Sequence, residues 1–265
     1  LNYYDRIAPI YDRTRWLTAS VAEEVADFIV KLVGATPATS FLEPGVGTGL
    51  NVLPLVKRGY SVTGIDVSGE MLDRFRQKFD EVPANLHLIQ ADASQLPFLD
   101  RSFDVVLTVH MIHAVADWRK FLDEIDRVLK PGGFYLQAQW ITPPARREFE
   151  GYFRSILSGE DRDRRLKQVD AAIGAIDADS YLRQKGYSSS YHLAKSWLVS
   201  NTVEELLGCF RSRAYGLCWQ VEDEVFDRVM PEFESFCLEH YGSLQTELSS
   251  EAKFEIWLYT AKMSH

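Results

Sequence analysis

The spacing of apolar residues changes rhythm repeatedly along this chain, and each change marks an element. Val21, Val25, Phe28, Ile29 and Leu32 recur at helical spacing behind Ser20, whose pairing with Glu23 predicts a capping box. Gly34 and Pro37 end that helix. From Ser40 onward, short apolar runs alternate with amphipathic segments. Phe41-Leu42 reads as a brief strand entering a glycine turn, 50–58 as a helix stopped by Gly59, and 60–65 as a strand. Ser68 is placed to cap a helix that turns Met71, Leu72, Phe75 and Phe79 inward. Residues 86–90 and 103–109 predict two further strands, and a helix from Asp117 carries Phe121, Leu122, Ile125, Val128 and Leu129 on its inner face. Pro131-Gly132-Gly133 then turns the chain into a fifth strand over 134–140. Near-continuous apolar strands alternating with helices predict a parallel sheet covered on both faces. The expectation is a doubly wound α/β fold with its ligand beyond the carboxyl ends of the strands.

After Thr142-Pro143-Pro144 the rhythm shifts to a mostly helical stretch reaching about Lys185. A strand follows over 189–200, then a second capping box at Thr202 and Glu205, a long helix over 222–241, and alternation over 254–261. Two late strands without a parallel crossover predict an antiparallel C-terminal pair at one sheet edge, with the intervening helices as a cap over the strand ends. The expected organisation is therefore an N-terminal segment and helix (1–35), an α/β core (36–142), a mostly helical cap region with one sheet strand (143–253), and a closing strand (254–265).

Composition narrows the partners. The 265 residues are 46% hydrophobic and 25% charged, proportions of an ordinary globular chain with a sizeable core. The strongest apolar run, 105–109, is strand-sized, and the first eleven residues carry charges and a proline, so neither a membrane span nor a signal peptide is expected. Lys and Arg total 29 against 38 Asp and Glu, a net charge of -9 that disfavours nucleic acid. The one basic run, Arg162-Asp163-Arg164-Arg165, is interrupted by an acid and reads as a solvated helix turn. Cys209, Cys218 and Cys237 lie far apart among apolar residues, which suits core packing in a reducing cytoplasm rather than a disulfide framework or zinc site.

The segment that carries chemistry is Phe41-Leu42-Glu43-Pro44-Gly45-Val46-Gly47-Thr48-Gly49. Glycines at alternate positions let the backbone turn tightly and approach a ligand, and the following helix aims its N-terminus there. The spacing is G-x-G-x-G, whereas the dinucleotide fingerprint is G-x-G-x-x-G. Glu43 would repel a pyrophosphate but suit an ammonium group. Asp66 ends the second strand, where a carboxylate accepts from both ribose hydroxyls, and Asp92 follows the third, where it could receive an exocyclic amine. Three acids at three successive strand ends point to a ligand with adenosine at one end and a cationic amino-acid group at the other: S-adenosylmethionine.

The segments FLEPGVGTG, VTGIDVS, QADASQLPF, FDVVLTVHMIHAVADW and LKPGGFYLQ resemble the successive motifs of class I S-adenosylmethionine-dependent methyltransferases, in particular the group related to ubiquinone and menaquinone biosynthesis methyltransferases. The likeness runs from about Tyr3 to Trp140 and implies a Rossmann-like core. It implies that Gly45, Gly47, Thr48 and Gly49 form the cofactor loop, with Glu43 organising that loop and the methionine end. Asp66 would hold the ribose, Val67 and Met71 would flank the adenine, and Asp92 with the Ala93 backbone would meet its amino edge. Thr108 and Val109 would offer backbone to the methionine ammonium, and the segment from Tyr3 to Asp12 resembles the group's N-terminal lid, with Tyr11 closing over the methionine end.

Methyl transfer from a sulfonium is an in-line displacement governed chiefly by alignment, and a base is needed only when the nucleophile must lose a proton. His113 and His110 follow the fourth strand and are the candidates for that base. Gln137 and Gln139 near the end of strand five are expected to face the pocket, and Trp140, Tyr181, Trp197 and Trp219 are candidates for an aromatic wall or for core packing. The reading is a cytoplasmic methyltransferase acting on a small-molecule acceptor and releasing S-adenosylhomocysteine, without a metal. The alternatives are a non-catalytic cofactor-binding regulatory protein and, disfavoured by the glycine spacing and Glu43, a nicotinamide-dependent oxidoreductase.

Overall fold

In the structure, a computed structural model that describes residues 3–157, 174, 176–219 and 221–261, strand β1 (Ser40–Pro44) lies between β2 (Ser61–Asp66) and β4 (Phe103–Val109). The sheet extends to β3 (Leu86–Gln90) on one side and to β5 (Leu129–Ile141), β7 (Glu247–Thr260) and β6 (Ser188–Thr202) on the other. The order is β3-β2-β1-β4-β5-β7-β6; β1 to β5 run parallel and the C-terminal pair antiparallel. Chain order reverses between β1 and β4, the crevice where doubly wound sheets bind ligands. Phe41, Leu42, Val62, Ile65, Val105, Val106 and Leu107 are all buried, the near-continuous apolar run of strands covered on both faces.

Helix α1 (Tyr3–Ile7) leads into two short 3₁₀ turns, Ala8–Ile10 and Asp12–Thr14. Helix α2 (Ala19–Leu32) is capped by Thr18 rather than Ser20. Thr18 has the extended backbone a cap requires and accepts from the Val21 N–H at 3.3 Å, whereas Ser20 is already helical. Helix α3 (Leu53–Lys57) is much shorter than expected, because 50–52 still belong to the turn that leaves β1 and Val52 offers no side-chain cap. Helix α4 (Gly69–Arg76) starts behind Ser68 as expected but ends before Phe79, and α5 (Trp118–Val128) is capped by Asp117.

Strand β5 begins at Leu129, five residues before the expected start. Pro131-Gly132-Gly133 is a bulge inside the strand rather than a turn ahead of it: Phe103 pairs with Leu129 and Val105 with Phe134. A Cβ at Gly133 would stand 2.8 Å from the Lys130 carbonyl oxygen and 2.9 Å from that of Asp104, two backbone atoms with little room to yield.

The chain divides into two units, residues 1–140, 176–195 and 254–265, and residues 141–175 and 196–253. In the first, Leu42, Ile65, Val106, Phe121, Leu122, Ile125 and Tyr135 share one core, with Tyr135 stacked on Tyr259 at 5.6 Å. Helix α6 (Pro144–Leu157) belongs to the second unit. Helix α7 (Ala178–Gln184) belongs to the first and docks on α5 through Tyr181 Oη donating to Asp123 at 2.7 Å. The second unit also holds α8 (Val203–Arg211), with the expected Thr202–Glu205 capping box, and α9 (Asp223–Tyr241), closed by left-handed Gly242. Its core is aromatic: Phe149, Phe153, Phe210 and Phe233 are fully buried, with ring centroids as close as 4.9 Å. Cys209, Cys218 and Cys237 are free thiols, the last two buried. Arg162 to Arg165, and part of the expected helical run to Lys185, lie outside the described residues. No helix among the described residues is long and apolar enough to cross a membrane.

Gly133→Ala is expected to destabilise the fold by about 1–3 kcal/mol through overpacking against backbone, read as a lower urea midpoint at unchanged slope.

Candidate active site

Strands β1 and β2 end level with each other, as do β2 and β3: Pro44 pairs with Ile65 and Asp66 with Gln90. The turn leaving β1 is tied back to β2 by Val46 N donating to the Ile65 carbonyl at 2.9 Å. Gly45 is held at φ +70°, and a Cβ there would fall 2.1 Å from Met111 Sδ, so the loop after β4 packs directly on this turn. Gly47, at φ +54°, is different: a Cβ there would meet nothing within 4 Å, which leaves an open cradle beside Asp66.

Asp66 clamps the turn. Its Oδ2 accepts from Gly47 N at 2.8 Å and its Oδ1 from Ser68 N at 2.9 Å, so each oxygen keeps acceptor capacity for one more donor. Burial pushes its carboxyl above the usual range, while those backbone donors oppose the shift. Ser68 caps α4 through the Met71 N–H and donates its own hydroxyl to Asp5 at 2.5 Å.

Glu43 is 0% exposed. Its Oε1 accepts from Asn51 Nδ2 at 2.7 Å, and its Oε2 has no partner. Burial, reinforced by the nearby Asp66 charge and opposed by the Asn51 hydrogen bond, pushes the carboxyl up to about 8. The chain of contacts continues: Trp140 Nε1 donates to Asn51 Oδ1 at 3.2 Å, and Trp140 N donates to His110 Nε2 at 3.0 Å. His110 sits at φ +56° directly after β4, its ring 5.4 Å from that of Trp140 and 6.1 Å from that of His113. Burial first, then the His113 and Arg15 charges, hold the His110 imidazole down to about 4, so it is neutral at physiological pH. Desolvation also lowers His113, whose side chain is nevertheless exposed.

The N-terminal segment lies on this site. Asp12 accepts from the Thr48 hydroxyl and pairs with Lys78 Nζ at 2.5 Å. Ile7 and Ala8 bury Met71, with Tyr3, Ile10 and Tyr11 packed against them. The Arg15 guanidinium stacks on Tyr11 at 4.0 Å. Met71 is thus enclosed by the segment, whereas Val67 stays 47% exposed at the rim. Asp92 is exposed and spends Oδ1 on Ser94 N at 2.8 Å; Ala93 beside it is buried. The Thr108 hydroxyl is occupied by Tyr135 Oη at 3.0 Å, and Val109 is buried.

Other expected contributors lie elsewhere. Gln139 bonds Glu255 at 3.3 Å across to β7, while Gln137 Oε1 is buried without a partner. Trp140 joins His110 and Trp16, whereas Tyr181 pairs with Trp118 at 5.5 Å, so these two do not share a wall. Trp197 is on β6, and the Trp219 side chain lies outside the described residues. The sequence places Asp5 and Asp12 in the lid segment and Met111 in a motif but gives none of them, nor Asn51, an individual role, because each acts through a partner distant along the chain. Among the described residues, no group of three or more histidines, cysteines or acids is arranged to hold a metal ion.

These residues fit a cationic nucleoside cofactor. An unpartnered buried carboxylate oxygen calls for a donor, the Gly47 cradle gives it access to the turn, and Asp66 has spare acceptors beside an exposed apolar side chain. Residues 42–136 match the family model described as a methyltransferase domain. The chain is 33% identical over 159 residues to demethylmenaquinone methyltransferase of Tropheryma whipplei (strain Twist), covering 58% of this chain and 63% of that protein. It is 32% identical over 231 residues to fatty-acid O-methyltransferase of Mycolicibacterium smegmatis, covering 79% of this chain and 82% of that one. Among solved structures, the YcgJ protein of Bacillus subtilis shares the fold at a TM-score of 0.53 and 17% identity, over 91% of this chain and 99% of its own. The chain spans 62–64% of the length of the menaquinone and ubiquinone methyltransferase relatives that it matches. With the glycine turn, the acids at the strand ends and a relative matched over most of both chains, this chain belongs to the S-adenosylmethionine-dependent methyltransferases.

Proposed function

We propose that the protein transfers a methyl group from S-adenosylmethionine to a small lipophilic acceptor that gives up a proton, releasing S-adenosylhomocysteine. The observation that carries this reading is the buried Glu43 carboxyl with one oxygen unpartnered beneath a turn clamped by Asp66. The cofactor supplies an electrophilic methyl on a sulfonium; everything else is positioning. Glu43 receives the amino-acid ammonium, Asp66 takes the ribose hydroxyls on its remaining lone pairs, and Val67 lies along the adenine. Asp92 offers its free oxygen to the adenine amine beside Ala93, and Thr108 and Val109 contribute backbone, the Thr108 side chain being engaged with Tyr135. Tyr11 and its neighbours shield this end from water. The lipophilic acceptor follows the names of two relatives, one acting on a demethylmenaquinone and the other on a fatty acid.

The two histidines divide the remaining work. His110 Nε2 accepts from the Trp140 backbone, so a proton there would cost that hydrogen bond; His110 pins the end of β4 to β5. His113 is exposed and held below its ordinary pKa, hence unprotonated at neutral pH, and it takes the acceptor's proton.

Calorimetric titration with S-adenosylhomocysteine is expected to give saturable binding in the micromolar range, about tenfold or more weaker in Asp66→Ala, and none with NADH. Nicotinamide binding without it would overturn the reading. With quinols and fatty acids offered as acceptors, His113→Ala is expected to lower kcat about 100-fold while leaving S-adenosylhomocysteine affinity within about twofold. A loss confined to affinity would remove the proton-accepting role. The raised carboxyl of Glu43 also predicts how the free protein responds to pH. Between its unfolded value of 4.5 and its folded value of about 8, the folded state holds a proton that the unfolded state has released. Stability is therefore fully present below 4.5 and falls as pH rises through 8, by a few kcal/mol. Glu43→Gln is expected to flatten that slope in urea titrations run from pH 5 to pH 9.

A further inference from the structure

The amide of Asn51 has two ends, and the end that faces Glu43 biases the carboxyl toward one of its two protonation forms. An amide NH2 donates, and so favours an ionised carboxylate; an amide oxygen accepts, and so favours a protonated one. The structure contains a group that makes this choice. Trp140 Nε1 stands 3.2 Å from the other end of the Asn51 amide, and an indole N–H can only donate. The atom facing it must be the amide oxygen, which turns the NH2 toward Glu43 Oε1 at 2.7 Å. Trp140 is itself fixed, since its backbone N donates to His110 Nε2 at 3.0 Å and its ring packs edge-on against Trp16 and His110.

Asn51 and Trp140 are both buried, so neither solvent nor rotamer exchange offers the amide an easy alternative. Eight residues separate Glu43 from Asn51 in the chain, and 89 separate Asn51 from Trp140. Strand β5 thus reaches over to set an amide in the turn that follows β1. Among the described residues, the charge that acts on Glu43 is that of Asp66, an acid. At the far end of the contact chain, His110 faces His113 and Arg15.

We propose that Asn51 and Trp140 are positioning residues of the cofactor site: the Trp140 indole N–H orients the Asn51 amide so that its NH2 holds one oxygen of Glu43 and leaves the other to the cofactor's ammonium group. The inference rests on the cofactor reading given above. Without the indole N–H the Asn51 amide is free to reverse, its oxygen accepts the proton of a neutral Glu43, and the carboxyl loses its bias toward the form that pairs with a cation. Binding of the ammonium group to the wild-type site releases the Glu43 proton to solvent, and the pair that forms is the ionised carboxylate with the cation.

A double-mutant cycle on S-adenosylhomocysteine binding, followed by calorimetry at pH 7, tests this. Trp140→Phe keeps the ring and removes only the N–H. It is expected to weaken binding about five- to tenfold in the wild-type background and less than about twofold in the Glu43→Gln background. Repeating the titration in buffers of different ionisation heat is expected to show release of about one proton per ligand by the wild type and none by Glu43→Gln. If Trp140→Phe does not fold, Asn51→Ala completes the same cycle. A merely structural Trp140 would weaken binding equally in both backgrounds; that result, or no loss in either, overturns the proposal while leaving the cofactor assignment intact. A wild-type protein that binds no S-adenosylhomocysteine overturns both.

Discussion

A carboxyl group sealed from water at the end of β1 sets the terms for everything around it. Burying an ionised carboxylate is costly unless donors surround it, and Glu43 has one donor and one unpartnered oxygen. The free protein therefore keeps the group largely neutral at physiological pH, and a cationic ligand is the partner that relieves the deficit. The geometry around it serves that end. Gly45 lets Met111 close against the turn, Gly47 leaves it open on the side of Asp66, and Asp66 holds the turn by its backbone rather than by a side chain. A rigid turn with an unsatisfied acid at its base is preorganised for binding, since little of it has to move when the ligand arrives.

The acids gathered here also carry specificity. Asp5, Asp12, Glu43 and Asp66 are linked through Ser68, Thr48 and their mutual charges, and Lys78 pairs with Asp12. Like charges raise each other's pKa, and Asp66 and Glu43 are both raised in part by neighbouring carboxylates. A pyrophosphate entering such a site would face the same repulsion, whereas an ammonium or sulfonium group removes it. The glycine turn alone does not separate the two ligand classes; the surrounding charge does. The N-terminal segment takes part in this, because Asp5 and Asp12 reach Ser68 and Thr48 across the mouth of the turn while Ile7 and Ala8 seal Met71 beneath them.

What was legible in the sequence followed local rules. Strands 86–90 and 103–109 stand where their apolar runs placed them, and Ser68, Asp117 and Thr202 cap the helices they precede, because each signal lies within a few residues of its effect. Asp66 could be located because it ends a strand. The departures share a cause too. Pro131-Gly132-Gly133 looks like a turn in isolation and becomes a bulge only through its pairing with β4, and Thr18 outcompetes Ser20 by backbone conformation rather than by residue type. Asn51 is a lone polar residue among apolar ones; its meaning comes from Trp140, for which no periodicity or spacing gives a sign.

The histidines after β4 sit in different surroundings, and on the proposed reaction alignment asks more of them than general acid–base chemistry does. His110 occupies a left-handed backbone position, accepts a backbone N–H from the adjacent strand, and is kept neutral by burial and by two nearby basic groups. A residue so engaged has the work of a strut. On the proposed reaction its effect runs through the strand end that it fixes, the end that carries Thr108 and Val109. An in-line displacement tolerates little angular error, so a fixed strand end lowers the barrier by holding the reacting atoms in register without touching them. The exposed neighbour, His113, carries no such hydrogen bond to the strand and is the group proposed to take the acceptor's proton. Two histidines three residues apart thus differ in the hydrogen bond that Trp140 gives to the first, and on the proposed reaction that difference leaves one to align and the other to accept a proton.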